Sequence, residues 1–194
     1  MVLLPSEGSS HNLQLLRDGQ ADVAFVQGGT AELQPDDPDN LVSLGSLFVE
    51  PLWLFYRTDA AERMHNAPRL DSLRQLRGWR VNVGSEGSGV PTLIERLLQA
   101  NKVEPGSVKL SRLEQTPATV EFLAGRLDAL VFASAPESLM VQMLLQTPGV
   151  QLLDFAQHEA YARRFPFLTP VTLPRGVVDL AANVPQRDVR LVAT

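Results

Sequence analysis

At 194 residues and 44% hydrophobic content, the chain is long enough to bury a sizeable core, as one large domain or two small lobes. Its 22 acidic and 17 basic residues give a formal charge of -5 with no basic block, which argues against a nucleic-acid partner. Cysteine is absent, which excludes disulfides, thiolate metal sites and cysteine nucleophiles, and His11, His65 and His158 are too scattered to suggest zinc. The opening MVLLPSEG lacks the cationic start and apolar length of a signal peptide, and no stretch approaches the roughly 20 apolar residues of a membrane span.

In chain order, SSHNLQLLRDG predicts a short helix capped by Ser9 or Ser10, with Leu13 and Leu16 inward and Gly19 at its end. ADVAFVQ (21–27) reads as a buried strand, LQPDDPDN (33–40) as a loop, and 41–57 as a strand, a bend at Pro51 and a second strand. The segment 58–68 is a polar connector of undetermined form. LRQLRG makes a short helix leading into strand 79–84, and PTLIERLLQAN follows as an amphipathic helix with Leu93, Ile94, Leu97 and Leu98 on one face.

The next helix takes Thr116 as N-cap and Pro117 in its first turn, places Val120, Leu123 and Ala124 on one face, and closes at Gly125. Strand 128–133 comes directly after, then a helix from Pro136, a strand VQLLDF, a helix QHEAYARRF, an extended FLTPVTLP and a final strand RDVRLVAT. This alternation is that of an α/β protein with parallel strands.

Two features carry chemistry. DGQADVAFVQGGT (18–30) and AGRLDALVFASAP (124–136) share a helix-ending Gly, a two-residue spacer, an Asp (Asp22 or Asp128), an apolar run and a loop of small residues. In open α/β sheets ligands collect beyond strand carboxyl ends, so these loops read either as matching halves of a cleft or as ordinary helix-to-strand connections. The second feature is VNVGSEGSGVPTLIERLL, in which Gly84, Gly87 and Gly89 with Ser85 and Ser88 lead from a strand into a helix. Free backbone N–H groups and the positive end of the dipole at such a helix start form a site for a carboxylate or phosphate. The alternative is a purely structural glycine turn.

The catalytic motifs fail on this loop. A phosphate-binding loop needs Gly-Lys-Ser/Thr where Gly89-Val90-Pro91 stands, the dinucleotide fingerprint finds Thr92 at its third glycine, and a nucleophile elbow finds Glu86 where serine belongs. Glu86 has no spaced partner acid or histidine and reads as a solvated loop carboxylate. Trp53, Phe55 and Tyr56 read as core aromatics, with Tyr56 available to a ligand, and Arg57 as the partner of a surface acid.

The set ADVAFVQGG, EPLWLFYR, VNVGSEGSG, LDALVFASAP and LPRGVVDLAANVPQRDVRLVAT resembles the TAXI-type solute-binding proteins of TRAP transporters, over nearly the whole chain. The resemblance implies an α/β, type II periplasmic-binding fold: two lobes with mixed sheets joined by two crossing strands, with lobe 1 (1–55) incomplete, lobe 2 over 56–172 and a return crossing over 173–194. It implies a periplasmic or extracytoplasmic receptor, not an enzyme. Such a receptor closes on a small anionic solute and delivers it to TRAP membrane subunits, without cofactor, metal or nucleic acid.

Carried onto this chain, Gln27, Gly28 and Gly29 match the first-lobe ligand loop, Ser85, Gly87, Ser88 and Gly89 the second, and Ser134 a strand end. Tyr56 and Glu86 complete the expected ligand shell. Val90 and Pro91 depart from the family's usual Thr and polar residue, which bears on amino-acid or dicarboxylate specificity. The rival readings are the effector-sensing domain of a regulator with the same architecture, and an enzyme on a similar scaffold such as a transferase or dehydratase.

Overall fold

The apolar run that follows Pro51 becomes an inner strand of a five-stranded sheet. The computed structural model describes residues 2–30 and 41–194, so the loop expected over 33–40 lies outside the described residues. Strands β1 (Leu52–Arg57), β2 (Arg80–Asn82), β3 (Lys109–Ser111), β4 (Ala129–Ala133) and β5 (Val150–Leu152) lie in the spatial order β3-β2-β4-β1-β5. β2 pairs parallel with β3 and β4, whereas β1 runs antiparallel to β4 and β5. The sheet is therefore mixed, and the fold is α/β. β1 is buried from Leu52 to Tyr56 because both sheet faces are covered, which is why it reads as a continuous apolar run rather than an alternating one.

Helices α1 (Ser9–Arg17), α2 (Thr58–His65), α3 (Val90–Ala100), α4 (Gln115–Leu123), α5 (Leu139–Gln146) and α6 (His158–Arg164) connect these strands. α3 buries Leu93, Ile94, Leu97 and Leu98 on the expected face. Full burial of each such side chain stabilises by about 1.5–3 kcal/mol. A second sheet pairs β6 (Thr169–Leu173) antiparallel with β7 (Val189–Ala193). The two sheets touch where Pro51 bridges Ala193, and Glu50 and Thr194 exchange backbone hydrogen bonds of 2.8 and 3.0 Å. The two sheets therefore meet side by side just before β1 and at the end of β7, while Leu52–Arg57 itself is an inner strand of the five-stranded sheet.

Several expectations need correction. Neither 21–27 nor 41–49 is a strand: both lack a ladder partner among the described residues, 41–49 being largely exposed and 21–27 partly so, and an apolar pattern alone cannot hold a strand. The polar connector contains α2, and the edge strand β3 carried no recognisable apolar signal. α4 begins after Glu114 rather than Thr116, and its inward face is Ala118, Thr119 and Phe122, leaving Val120 57% exposed. The bulk of Phe122 sets that rotation. α5 begins at Leu139, after Ser138, and residues 73–76 form a 3-10 turn closed by a Ser72–Gln75 capping box.

Both copies of the near repeat end their helix in the same way. Gly19 (φ 66°) and Gly125 (φ 78°) donate to Leu16 O and Phe122 O, and Gln20 and Arg126 donate to Leu15 O and Glu121 O. That is a Schellman stop, which needs a left-handed residue and so favours glycine. Beyond it the copies diverge, since only the second continues into a paired strand.

Candidate ligand cleft

Because β2 and β4 are parallel, their carboxyl ends share one edge of the sheet, and the antiparallel β1 begins there. The 84–89 loop leaves β2 at this edge and is folded on itself, with Ser88 N and Oγ both donating to Ser85 O at 3.1 and 2.8 Å. Gly89 then stands at the N-cap of α3 without a side chain to cap it. Fully buried Asn82 braces the base of the loop: its amide accepts from Leu113 N (2.8 Å) and Ser111 Oγ (3.1 Å) and donates to Leu113 O (3.1 Å).

The 27–30 loop packs against this helix start. A β-carbon on Gly89 would collide with Thr30 Oγ1 and Gln27 Oε1, and one on Gly29 would collide with the Phe167 ring. Only glycine permits these approaches. Gly28 lies beside Phe167 O and Thr194 Cβ, while the Arg96 guanidinium, further along α3, sits 5.7 Å from the Phe167 ring centroid.

The start of α1 ties the two loops together. Ser9 Oγ accepts from Gln27 N at 2.9 Å, Ser10 N donates to Gly87 O at 3.0 Å, and Ser10 Oγ donates to Ser88 O at 3.0 Å. Four buried polar side-chain atoms lack a hydrogen-bond partner among the described residues: Gln27 Nε2, Thr30 Oγ1, Thr194 Oγ1 and His158 Nδ1. The first three lie on or against the 27–30 loop. A buried unpaired donor costs on the order of 1–3 kcal/mol, so three such atoms grouped at one loop are an unusual concentration.

The structure thus brings together Gln27, Gly28 and Gly29 with Gly87, Ser88 and Gly89, and Ser85 supports the loop from within. The partner of the 27–30 loop is the 84–89 loop, not the loop after β4 that the near repeat suggested. Ser134 does lie at the same sheet edge, where its N–H donates to Pro51 O at 3.4 Å and its carbonyl accepts from Trp53 Nε1 at 2.9 Å. Glu86 points outward, exposed and paired with Arg112 at 3.2 Å.

Tyr56 is not at the cleft. It pairs with Ala129 at the amino end of β4, its ring packs edge-on to Trp79, and its hydroxyl accepts from Leu70 N at 3.2 Å. Arg57 pairs with Asp59, as expected of a surface acid. The Asp of the second copy is likewise structural: Asp128 is only 4% exposed and accepts from Arg80 and Arg63. Burial pushes its carboxyl upward, but the Arg80 hydrogen bonds and the nearby Arg63 charge outweigh that and hold it below the ordinary aspartate value.

Ser9, Ser10, Thr30, Phe167, Thr194 and Arg96 escaped the sequence reading as site residues. Thr30 directly follows the predicted loop, and the two serines were visible as caps, but their tertiary partners were not. A groove of about 550 Å³ lies at the other end of α3, lined in part by Asp71, Lys102, Gln157 and Tyr161, away from these loops. Among the described residues no group of three or more His, Asp or Glu is placed to hold a metal.

Residues 3–186 match the NMT1-like family, and the chain belongs to it. Several solved periplasmic and transport-associated binding proteins are similar to it at low identity. An ancestral arginine-binding protein bound to arginine is 18% identical with a TM-score of 0.47, covering 73% of this chain and 55% of that one. An ABC transporter/periplasmic binding protein from Brucella ovis with glutathione bound is 20% identical with a TM-score of 0.48, covering 73% and 41%. The alkanesulfonate-binding protein SsuA of Xanthomonas axonopodis pv. citri bound to MOPS is 18% identical with a TM-score of 0.47, covering 83% and 56%. The chain spans about half the length of these proteins.

Proposed function

We propose that the protein is an extracytoplasmic solute-binding receptor that takes a small anionic solute, a carboxylate or an amino acid, where the 27–30 loop meets the 84–89 loop and the start of α3. The observation that carries this is the trio of buried polar atoms on Gln27, Thr30 and Thr194 without a partner among the described residues, gathered beside the start of an 11-residue helix that no side chain caps. An anion there accepts hydrogen bonds from side-chain donors and helix N–H groups, at about 1.5–3 kcal/mol each for a charged partner. A few such bonds suffice for micromolar affinity after ordering costs.

In this reading the principal lobe expected over 56–172 starts instead with β1 at Leu52, since β1 is an inner strand of its sheet, and residues before Pro51 with the β6–β7 pair belong to the other, joined at Glu50–Thr194. The function is capture rather than chemistry, since Glu86, the one carboxylate in the loop, is turned away toward Arg112. The motif resemblance supports delivery to TRAP-type membrane subunits of the TAXI kind.

Native mass spectrometry of freshly purified protein tests the proposal, followed by a thermal-shift panel of carboxylates and amino acids. A retained anionic solute, or a rise in melting temperature with at least one of these compounds, is expected. Absence of both overturns it. Co-purification with TRAP membrane subunits, compared with ABC permease subunits, decides the transporter.

A further inference from the structure

Ser9 and Ser10 open α1, yet neither caps it: Gly8 occupies the N-cap position and makes no side-chain hydrogen bond. Neighbouring residues on a helix project about 100° apart, so two adjacent hydroxyls can reach in two directions. Here they do. Ser9 Oγ accepts from Gln27 N at 2.9 Å, while Ser10 Oγ donates to Ser88 O and Ser10 N to Gly87 O, both at 3.0 Å. One turn of helix therefore grips the 27–30 loop with one hand and the 84–89 loop with the other. The fit allows little slack, because a β-carbon on Gly8 would lie 2.8 Å from Gly87 O and one on Gly87 would collide with Glu7.

We infer that Ser9 and Ser10 are positioning residues that set the gap between Gln27 and Gly89. That this gap holds an anionic solute rests on the function proposed above; the clamp itself does not. Without Ser10 Oγ the 84–89 loop keeps only the backbone bonds from Ser10 N and His11 N to Gly87 O, and without Ser9 Oγ the Gln27 N–H loses its acceptor. Both positions lie in the first turn of a helix, where alanine has good propensity, so α1 itself should survive the substitutions.

The chain contains no cysteine, so Val23→Cys, on the segment leading into the 27–30 loop, and Gln99→Cys, on α3, both exposed, accept spin labels cleanly. The distance distribution between them reports the spacing without any ligand. The parent should give one narrow distance, Ser9→Ala and Ser10→Ala a broader or longer one, and Ser10→Thr, which keeps the hydroxyl, the parental distribution. With succinate and L-glutamate as probes, each alanine variant should bind about fivefold more weakly than the parent, the loss of one neutral hydrogen bond.

Unchanged distances in both alanine variants overturn the clamp. If the distances widen but neither probe, nor any compound of the thermal-shift panel, binds the parent, the clamp stands and the anionic-solute reading falls.

Discussion

Arg80 and Asp128 are joined by three hydrogen bonds: Arg80 N and Nε donate to Oδ2 at 2.9 and 3.0 Å, and Nη2 donates to Oδ1 at 2.7 Å. Arg63 adds a further bond to Oδ1 at 2.8 Å. The carboxylate is covered while both guanidinium groups reach solvent, which lowers the value of the pairing below that of a fully buried one. Asp128→Asn should destabilise by about 2 kcal/mol at neutral pH. Since the folded carboxyl sits below the ordinary value of 3.8, its contribution is present above that value and is lost as pH falls through the lower folded one. Urea unfolding at neutral and acid pH should show the two proteins converging in acid. A variant as stable as the parent at neutral pH would show that the Arg80–Asp128 pairing does not stabilise the fold.

Thr30→Val separates binding from stability. The hydroxyl is buried without a partner among the described residues, so replacing it by a methyl of the same shape should leave the free protein as stable or raise its stability by about 1 kcal/mol. Affinity for any anion that shifts the parent's melting temperature should fall about tenfold if that hydroxyl is a ligand donor. Calorimetric titration beside a melting curve reads both. A destabilised free protein would mean that Thr30 Oγ1 already has a partner.

Gly89→Ala attacks the same contact from the other side. The added methyl must displace Thr30 and Gln27, pushing the loops apart at the helix start. The substitution should abolish measurable anion binding while costing the fold about 1 kcal/mol or less, because Gly89 has right-handed φ and ψ and alanine fits the helix start. Retained binding would place the solute elsewhere.

How much of this was legible in the sequence depended on the range of the interaction. Gly125 and Gly19 announced helix stops because the left-handed turn is a local demand, and Leu93 to Leu98 announced the buried face of α3 because periodicity is local too. Gly87 and Gly89 were recognised as a close-approach loop, but what approached them was not, since Ser10 and Thr30 are distant in sequence. Tyr56 was misplaced for a topological reason: only the antiparallel direction of β1 puts its Leu52 end, rather than its Tyr56 end, at the cleft. The second copy of the near repeat likewise read as either half of a cleft or an ordinary connection, and only the position of Arg80 on the neighbouring strand shows its Asp128 to be a structural acid.

Glu50 offers a pH test at the crossing between sheets. Its backbone pairs with Thr194, and burial raises its carboxyl above 4.5. A raised acid favours folding in its neutral form, so its contribution is complete below the unfolded value and is lost as pH rises through the folded one. Glu50→Gln keeps the neutral form at every pH. Its melting temperature should match the parent's in acid and exceed it increasingly as pH climbs above 4.5. Parallel melting curves across that range would show that Glu50 is solvated.

The segment 41–49 gives the last prediction. Leu44 is 82% exposed and Phe48 69%, and Val42, Leu47 and Val49 beside them are exposed as well. Contiguous apolar surface of this kind, on a segment with no ladder partner among the described residues, is a template for association and for dye binding. The double change Leu44→Lys and Phe48→Lys removes apolar area that lies outside the core, so the unfolding free energy should change by no more than about 0.5 kcal/mol. Fluorescent-dye binding and concentration-dependent light scattering should both fall. A large loss of stability instead would mean that Leu44 and Phe48 are packed against the folded protein rather than presented to solvent.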